Sequence, residues 1–244
     1  MNAEAIIITI GDELTSGLIA DTNSAEISLM LAERGIVTIR HETVDDHAGR
    51  IAAAMRRAVA EAAVVLVAGG LGPTEDDVTR EALANVMERP LKRHAESLRQ
   101  IEAFFAARGY AMSDANRRQA LCPDGAEPLS NPVGTAPGIA ATVGDARVFV
   151  LPGVPREMRH LMDLHVLPRL ADVGADGAVA FRALHAFGVG ESVIGEQLAD
   201  MMDRGGNPLV GTTASDGIIT IRITARGADR DEAAAVAERT GGEV

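Results

Sequence analysis

The run Ala63-Val64-Val65-Leu66-Val67 and the loop Gly69-Gly70-Leu71-Gly72-Pro73-Thr74-Glu75-Asp76-Asp77 together decide the fold. Five consecutive apolar residues are typical of a buried strand in a parallel sheet. The glycines allow a sharp turn, and residues 78–87 have apolar positions at helical spacing. A strand, a glycine loop and a helix in this order predict one unit of an α/β protein.

Two similar units precede this loop. The apolar run Ala5–Ile10 ends at Gly11-Asp12-Glu13, and a capping box at Asn23 predicts the start of a helix. Residues 36–44 form the second predicted strand, and Asp46 is predicted to cap the helix after it. Because strands alternate with helices, we expect a parallel sheet that is covered on both faces.

The segment after the glycine loop completes this domain. Helices are predicted at residues 94–108, 113–121 and 156–170, and a hairpin joins strands at 139–143 and 147–151. We therefore predict a three-layer α/β/α sandwich over residues 1–172.

The remaining residues predict a small appendage. Asp172–Gly177 resembles a linker, and residues 178–244 have the order strand, helix, strand, strand, helix. From Val179 to Val244 there are six arginines and ten acidic residues, a net charge of 6 − 10 = −4. A module that grips nucleic acid is basic. We expect this α+β appendage to mediate dimerisation or docking, and the chain to form a homo-oligomer.

The composition excludes several classes of function. Thirty-five acidic residues against 23 basic ones give a net charge of −12, which repels nucleic acid. Five Phe, one Tyr and no Trp provide almost no surface on which bases could stack. The apolar runs are far shorter than the roughly 20 residues of a membrane-spanning helix. We therefore expect neither nucleic acid nor a membrane as a partner.

The single cysteine and the single lysine of the chain exclude several kinds of functional site. Cys122 is the single cysteine, which excludes an intramolecular disulfide and a multi-cysteine zinc site and favours a cytoplasmic location. Lys92 is the single lysine and follows no glycine loop, so a P-loop is excluded.

Three loops follow the predicted parallel strands, where α/β proteins bind ligands. Glycines and helix amino termini suit a phosphate group, but these loops also carry many acids. A divalent cation between the carboxylates would reverse the sign of the charge and allow chemistry on a phosphate or diphosphate. Helix capping is the alternative for Asp46 and for one of the pair Asp76 and Asp77, because two adjacent acids cannot both be the cap. The acids in these loops are Asp12, Glu13, Asp45, Asp46, Glu75, Asp76 and Asp77.

Five motifs resemble one family. Ile10-Gly11-Asp12-Glu13-Leu14, Asp21-Thr22-Asn23, the segment from Gly69 to Thr79, the segment from Asn131 to Gly138, and Leu151-Pro152-Gly153 resemble the amino-terminal region of the competence/damage-inducible protein A (CinA) family. The resemblance covers the whole chain. It implies the molybdopterin-binding fold of molybdopterin-biosynthesis proteins, followed by a small KH-like segment. One departure is Val154-Pro155, where family members often have two prolines.

The resemblance also implies an activity, which is hydrolysis of the pyrophosphate of ADP-ribose or a similar nucleotide diphosphate with Mg²⁺, Mn²⁺ or Co²⁺. By this correspondence Glu13 and Asp77 are the predicted metal ligands. Asp77 and Asp46, with Asp76 from our own argument on the loop, are the predicted catalytic residues. The predicted ligand-binding residues are Gly11, Asp12, Asn23, Gly69, Gly70, Gly72, Thr74, Gly134, Thr135, Pro137, Gly138 and Gly153.

Two other functions stay open from the sequence. The first is a module that binds a pterin or nucleotide without hydrolysing it, because a fold does not fix the chemistry. The second is an interaction protein whose appendage oligomerises the chain. The family's carboxy-terminal domain, with nicotinamide mononucleotide deamidase activity, has no counterpart in these 244 residues, so we expect no deamidase activity from this chain.

Overall fold

The computed structural model describes residues 4–173, 177–203 and 205–244. These form two compact units, the larger of residues 4–31 and 37–173 and the smaller of residues 32–36 with the described part of 177–244. The predicted linker at Asp172–Gly177 includes residues 174–176, which lie outside the described ranges. No helix among the described residues has the length and apolar character needed to span a bilayer.

The larger unit contains a six-stranded sheet. Its strands run in the order β2-β1-β3-β8-β7-β6, in which the first four are parallel and the last two join antiparallel. A separate antiparallel ribbon joins β4 to β5. The strands in chain order are β1 (Glu4–Ile10), β2 (Val37–Val44), β3 (Val64–Ala68), β4 (Leu91–Arg93), β5 (Leu121–Pro123), β6 (Glu127–Leu129), β7 (Gly138–Val143) and β8 (Ala146–Leu151).

Helices connect these strands. A 3-10 segment at Asp114–Ala120 precedes β5, and a π-helical turn at Met162–Val166 separates the last two helices. The α-helices in chain order are α1 (Asp12–Thr15), α2 (Asn23–Ala32), α3 (Ala48–Glu61), α4 (Thr79–Met87), α5 (Ala95–Ala106), α6 (Pro155–Leu161) and α7 (Leu167–Arg169).

The core explains why β1 is apolar at five of its seven positions and β3 at all five. Ile6 and Ile8 of β1 pack with Ile51 and Met55 of α3 on one face of the sheet. Ile7, which points to the opposite face, is equally buried. The predicted three-layer α/β/α sandwich is thus confirmed.

The smaller unit is an antiparallel three-stranded sheet with two helices. Its strand order is β10-β11-β9, and its helices pack on one side of it. The predicted α+β appendage is therefore confirmed. Its elements are β9 (Ala178–Phe187), α8 (Glu191–Gln197), β10 (Leu209–Ser215), β11 (Ile218–Gly227) and α9 (Arg230–Glu243).

Several local predictions were wrong. The helix predicted at 113–121 is the 3-10 segment, because its side chains bond at three-residue spacing, Ser113 to Asn116 and Asn116 to Gln119. The helix predicted at 156–170 is interrupted, since Pro168 has no N–H for the regular helical hydrogen bond. The predicted hairpin joins the parallel strands in one mixed sheet, because β7 runs antiparallel to β8, and β6 adds a further antiparallel strand that was not predicted.

The capping predictions also need correction. Asp21, not Asn23, caps α2 by accepting the Ser24 N–H at 3.0 Å. Asp46 does not cap α3, which begins at Ala48 after His47 and has no side-chain cap. Its carboxylate instead accepts the N–H of Asp12 at 2.8 Å, a partner from another loop.

Candidate functional site

A cleft of about 510 Å³ lies where the four parallel strands end. Gly11 follows β1, Asp46 follows β2, Gly69 follows β3 and Pro152 follows β8. Ligands of α/β proteins bind at this edge of the sheet. Its lining is formed by Ile10, Gly11, Glu13, Asp46, Gly69, Gly70, Leu71, Gly72, Pro73, Asp76, Asp77, Gln119, Thr135, Ala136, Pro152, Gly153, Val154 and Glu157.

The glycine loop passes very close to the end of β1. Gly69 has a φ of 117°, in the left-handed region, and a Cβ there would overlap the carbonyl oxygen of Ile10. Only glycine meets both conditions without strain. The sequence therefore brings the loop backbone to the floor of the cleft.

A buried arginine holds the middle of this loop. Arg80 is 1% exposed, and its Nη1 and Nη2 donate to the carbonyl oxygens of Leu71 at 2.8 Å and Gly72 at 2.6 Å. Gln119 adds a longer bond to Leu71 O at 3.4 Å. Burial lowers the pKa of Arg80 to about 10, which leaves it charged at neutral pH. Both carbonyls are therefore bound by Arg80 and cannot face an anion in the cleft.

Thr79 and Arg118 hold the other carbonyls of the loop. The Thr79 hydroxyl donates to Gly69 O at 2.9 Å, and the Thr79 N–H donates to Gly70 O at 3.3 Å. Arg118 Nη1 donates to Thr74 O at 2.7 Å. The carbonyl oxygens of Gly69, Gly70, Leu71, Gly72 and Thr74 are thus satisfied within the protein.

The N–H groups of the loop divide into two sets. Asp77 Oδ1 accepts from Gly72 N at 2.7 Å, and its Oδ2 accepts from the N–H and hydroxyl of Thr74. The N–H groups of Gly70 and Leu71 make no hydrogen bond to any described residue. Because both residues line the cleft, these two donors are available to an anion.

Carboxylates line the adjoining part of the cleft. The loops that carry Asp12 and Asp46 are joined by reciprocal bonds, because Asp46 N also donates to Asp12 Oδ1 at 3.2 Å. Burial raises the pKa of Asp46, and the carboxylates of Asp12, Glu13 and Asp76 raise it further. This part of the cleft therefore carries negative charge, and its carboxylates Glu13, Asp46 and Asp76 form no ion pair with a described residue.

The carboxylates of the cleft are the groups from which a divalent cation could take oxygen ligands. Among the described residues, no three His, Cys, Asp or Glu side chains are arranged to hold a metal ion. Mg²⁺, however, is commonly bound through one or two carboxylates, with substrate phosphates completing its coordination. Glu13 and Asp77 both line the cleft, and their roles as metal ligands stay predictions.

The structure brings most of the predicted site residues together. Those that line the cleft are Gly11, Glu13, Asp46, Gly69, Gly70, Gly72, Asp76, Asp77, Thr135 and Gly153. Those outside its lining are Asp12, Asn23, Thr74, Gly134, Pro137 and Gly138.

Some of the residues outside the lining support residues within it. Asn23 Nδ2 donates to Gly153 O at 2.8 Å, and Thr74 bonds to Asp77. Gly134, Pro137 and Gly138 are buried beside the lining residues Thr135 and Ala136. Their roles as ligand-binding residues stay predictions.

Three polar residues of the site were missed from the sequence. Glu157 and Gln119 line the cleft, and Arg80 supports its loop. Arg80 directly follows Thr79 in the loop motif, but arginine is mostly found at the surface, so no sequence signal predicts its burial. Glu157 follows the Leu151-Pro152-Gly153 motif by four residues, which is the signal that could have identified it.

The fold and cleft define a molybdopterin-binding type of protein. Residues 6–172 match the family described as "Probable molybdopterin binding domain", and residues 181–244 match "Damage-inducible protein CinA KH domain". The chain belongs to the CinA family.

Individual relatives agree with this membership. The chain is 39% identical over 241 residues to a "CinA-like protein" of Thermomicrobium roseum, covering 99% of this chain and 58% of that one. It is 37% identical over 238 residues to a "CinA-like protein" of Dictyoglomus thermophilum, covering 98% and 58%. The chain thus spans little more than half the length of these curated relatives.

A solved structure gives the same result. The crystal structure of a protein CinA of unknown function from Thermoplasma acidophilum superposes with a TM-score of 0.64 at 34% identity. The match covers 68% of this chain and 98% of that one.

Proposed function

We propose that the cleft binds a nucleotide diphosphate such as ADP-ribose and hydrolyses its pyrophosphate with a divalent cation. One observation carries this proposal, which is that a loop with two N–H groups unpaired among the described residues lies beside carboxylates that form no ion pair with those residues. Amide donors favour a phosphate, whereas carboxylates repel it. A ligand that satisfies both parts of the cleft is a phosphate that carries a cation.

The residues then have separate roles. The N–H groups of Gly70 and Leu71 hold one phosphate, and Glu13 and Asp77, which both line the cleft, would hold the cation. When bound, the cation would neutralise the charge of the diphosphate and polarise its phosphorus–oxygen bonds. Asp46 and Asp76 line the same space and orient water.

The test is release of AMP from ADP-ribose with and without Mg²⁺, Mn²⁺ or Co²⁺. Glu13→Gln is the informative variant, because Asp77→Asn would place an NH₂ group against the loop's own N–H donors. We expect Glu13→Gln to reduce metal-stimulated release by about 100-fold. Glu75→Gln, an exposed acid of the same loop outside the cleft lining, should leave the rate unchanged. Equal activity of wild type and Glu13→Gln would contradict the proposed site.

A second candidate function is a module that binds a pterin or nucleotide without hydrolysis. It is favoured by the position of Asp77, whose two carboxylate oxygens already accept bonds from the loop. Calorimetric binding of a nucleotide, with no AMP formed under any metal, would support this function against hydrolysis.

A further inference from the structure

A fifth carboxyl group, that of Glu157, enters the cleft from the first turn of α6. The other four are engaged elsewhere or exposed. Asp77 braces the loop with both oxygens, and Asp46 accepts a bond from Asp12. Glu13 and Asp76 are exposed. Glu157 is half-buried and stands apart from this group.

A buried amide fixes the position of Glu157. Asn131 is 8% exposed, and its Nδ2 donates to Glu157 Oε2 at 2.6 Å and to Ala136 O at 2.9 Å. Its Oδ1 accepts the N–H of Val133 at 3.2 Å. Because each side of the amide has a partner of the right kind, the amide cannot turn over, and its NH₂ group faces the carboxylate.

The chain leaves room for this carboxylate at a specific residue. A Cβ at Gly134 would occupy the position of the Glu157 carboxyl group. The side chain is therefore packed between its own helix and the backbone of the loop that contributes Thr135 and Ala136 to the cleft. Oε2 is anchored to Asn131, whereas Oε1 makes no hydrogen bond to a described residue.

The protonation behaviour of Glu157 agrees with this geometry. Burial raises its pKa above the usual value of 4.5, against the opposing effects of the Asn131 bond and the positive charge of Arg156. The other titratable groups that line the cleft are Glu13, Asp46, Asp76 and Asp77. A general base is most effective when its pKa lies near the working pH.

We propose that Glu157 is the general base of the hydrolysis, an inference that rests on the function proposed above. Oε1 takes a proton from water as the water oxygen forms a bond to one phosphorus of the diphosphate. The bond from that phosphorus to the bridging oxygen breaks, and its electron pair leaves with the second phosphate. The products are two phosphate monoesters, and the proton taken by Glu157 returns to solvent.

The experiment compares Glu157→Gln with wild type over a pH series at saturating Mn²⁺ and ADP-ribose. We expect kcat to fall by about 100-fold or more, within the range for loss of a general base. Binding of ADP-ribose, measured by calorimetry, should change less than about threefold, because the amide fills the same space. The fall in kcat on the acidic side of the wild-type profile should disappear in the variant.

Three further variants separate catalysis from structure. Asn131→Ala removes the donor that favours the ionised carboxylate, so the acidic limb of kcat should move to higher pH. Glu157→Ala with added formate should regain activity, since a small carboxylate can replace the missing group. Asp163→Asn, an exposed acid of the following helical turn, should behave as wild type.

Each result either supports or overturns the role of Glu157 as the general base. A Glu157→Gln protein with the kcat and acidic limb of wild type would overturn the base while leaving the hydrolysis intact. Should Glu157→Gln lose ADP-ribose binding, rescue of Glu157→Ala by formate supports the base, and lack of rescue overturns it. A wild-type protein that releases no AMP with any metal would overturn the proposed function, and the base with it.

Discussion

The two walls of the cleft differ in what they are made of. The glycine-loop wall, residues 69–72, presents backbone groups supported by buried side chains, with Thr79 at 0% and Arg80 at 1% exposure. The acidic wall, Glu13, Asp46 and Asp76, presents side-chain carboxylates that are exposed or half-buried. The first wall is preorganised and keeps its polarity over a wide pH range. The second changes with pH, salt and any bound cation.

Loss of Arg80, which supports the glycine-loop wall, should have the largest effect. In Arg80→Met the carbonyls of Leu71 and Gly72 lose their short, charged donors, so we expect the free energy of unfolding to fall by about 3 kcal/mol. Metal-free affinity for pyrophosphate should weaken by at least about tenfold. Urea unfolding and calorimetry measure the two effects. Arg80→Lys keeps the charge but not the forked geometry, and should fall between wild type and Arg80→Met. An Arg80→Met protein with wild-type affinity would mean that the loop needs no support.

Removing a negative charge from the acidic wall should strengthen the binding of anions, whereas loss of Arg80 should weaken it. Asp46→Asn deletes a carboxylate that repels phosphate, so metal-free affinity for pyrophosphate should rise by about two- to fivefold. Metal-stimulated release of AMP should fall in the same protein. Parallel titrations with and without Mn²⁺ measure both. Weaker metal-free binding in Asp46→Asn would contradict this repulsion and would assign the effect to the bonds that join Asp46 to Asp12.

Thr79 allows a smaller and more local change on the glycine-loop wall. Thr79→Val removes the hydroxyl that donates to Gly69 O, and the free energy of unfolding should fall by about 1 to 2 kcal/mol. Thr79→Ser keeps the hydroxyl and is the matched control. Thermal and urea unfolding would compare the two variants. A loss of stability in Thr79→Ser but not in Thr79→Val would assign the contribution of Thr79 to packing of its methyl group instead of the hydrogen bond.

The rate at which the Cys122 thiol is alkylated reports on the core behind the glycine loop, and we expect the smallest effect in this measurement. The thiol is buried, and burial raises its pKa to about 12, so iodoacetamide at pH 8 should label the native protein very slowly. Arg80 lies near enough to influence that pKa. The positive charge of Arg80 lowers that pKa, so labelling of folded Arg80→Met should be slower still, whereas Glu13→Gln should keep the wild-type rate. The same rate in all three proteins would mean that the core behind the loop does not sense the loss of Arg80.

The sequence predicts the elements whose signals are local. Apolar runs identify β1 and β3, and the turn Gly144-Asp145 identifies the hairpin of β7 and β8. Strands of three residues such as β4 and β6 contain no periodicity, so they were missed.

The errors at the site have a different cause. Asp46 looked like a helix cap because its nearest helix begins two residues later, whereas its partner lies 34 residues away in the chain. Arg80 is buried because the loop carbonyls need a donor, a demand that exists only once the loop has folded. Contacts of this kind depend on tertiary structure and cannot be read from neighbouring residues.

The strand order has a consequence for synthesis on the ribosome. Val64 of β3 pairs with Arg147 of β8, so the growing chain contains the glycine loop long before the strand that lies beside it. Until β8 has emerged, one edge of β3 has no partner, and such an edge is exposed to pairing with other chains. Glu157 emerges later still. A ligand of this cleft can therefore stabilise only the completed domain, and early nascent chains depend on other protection against aggregation.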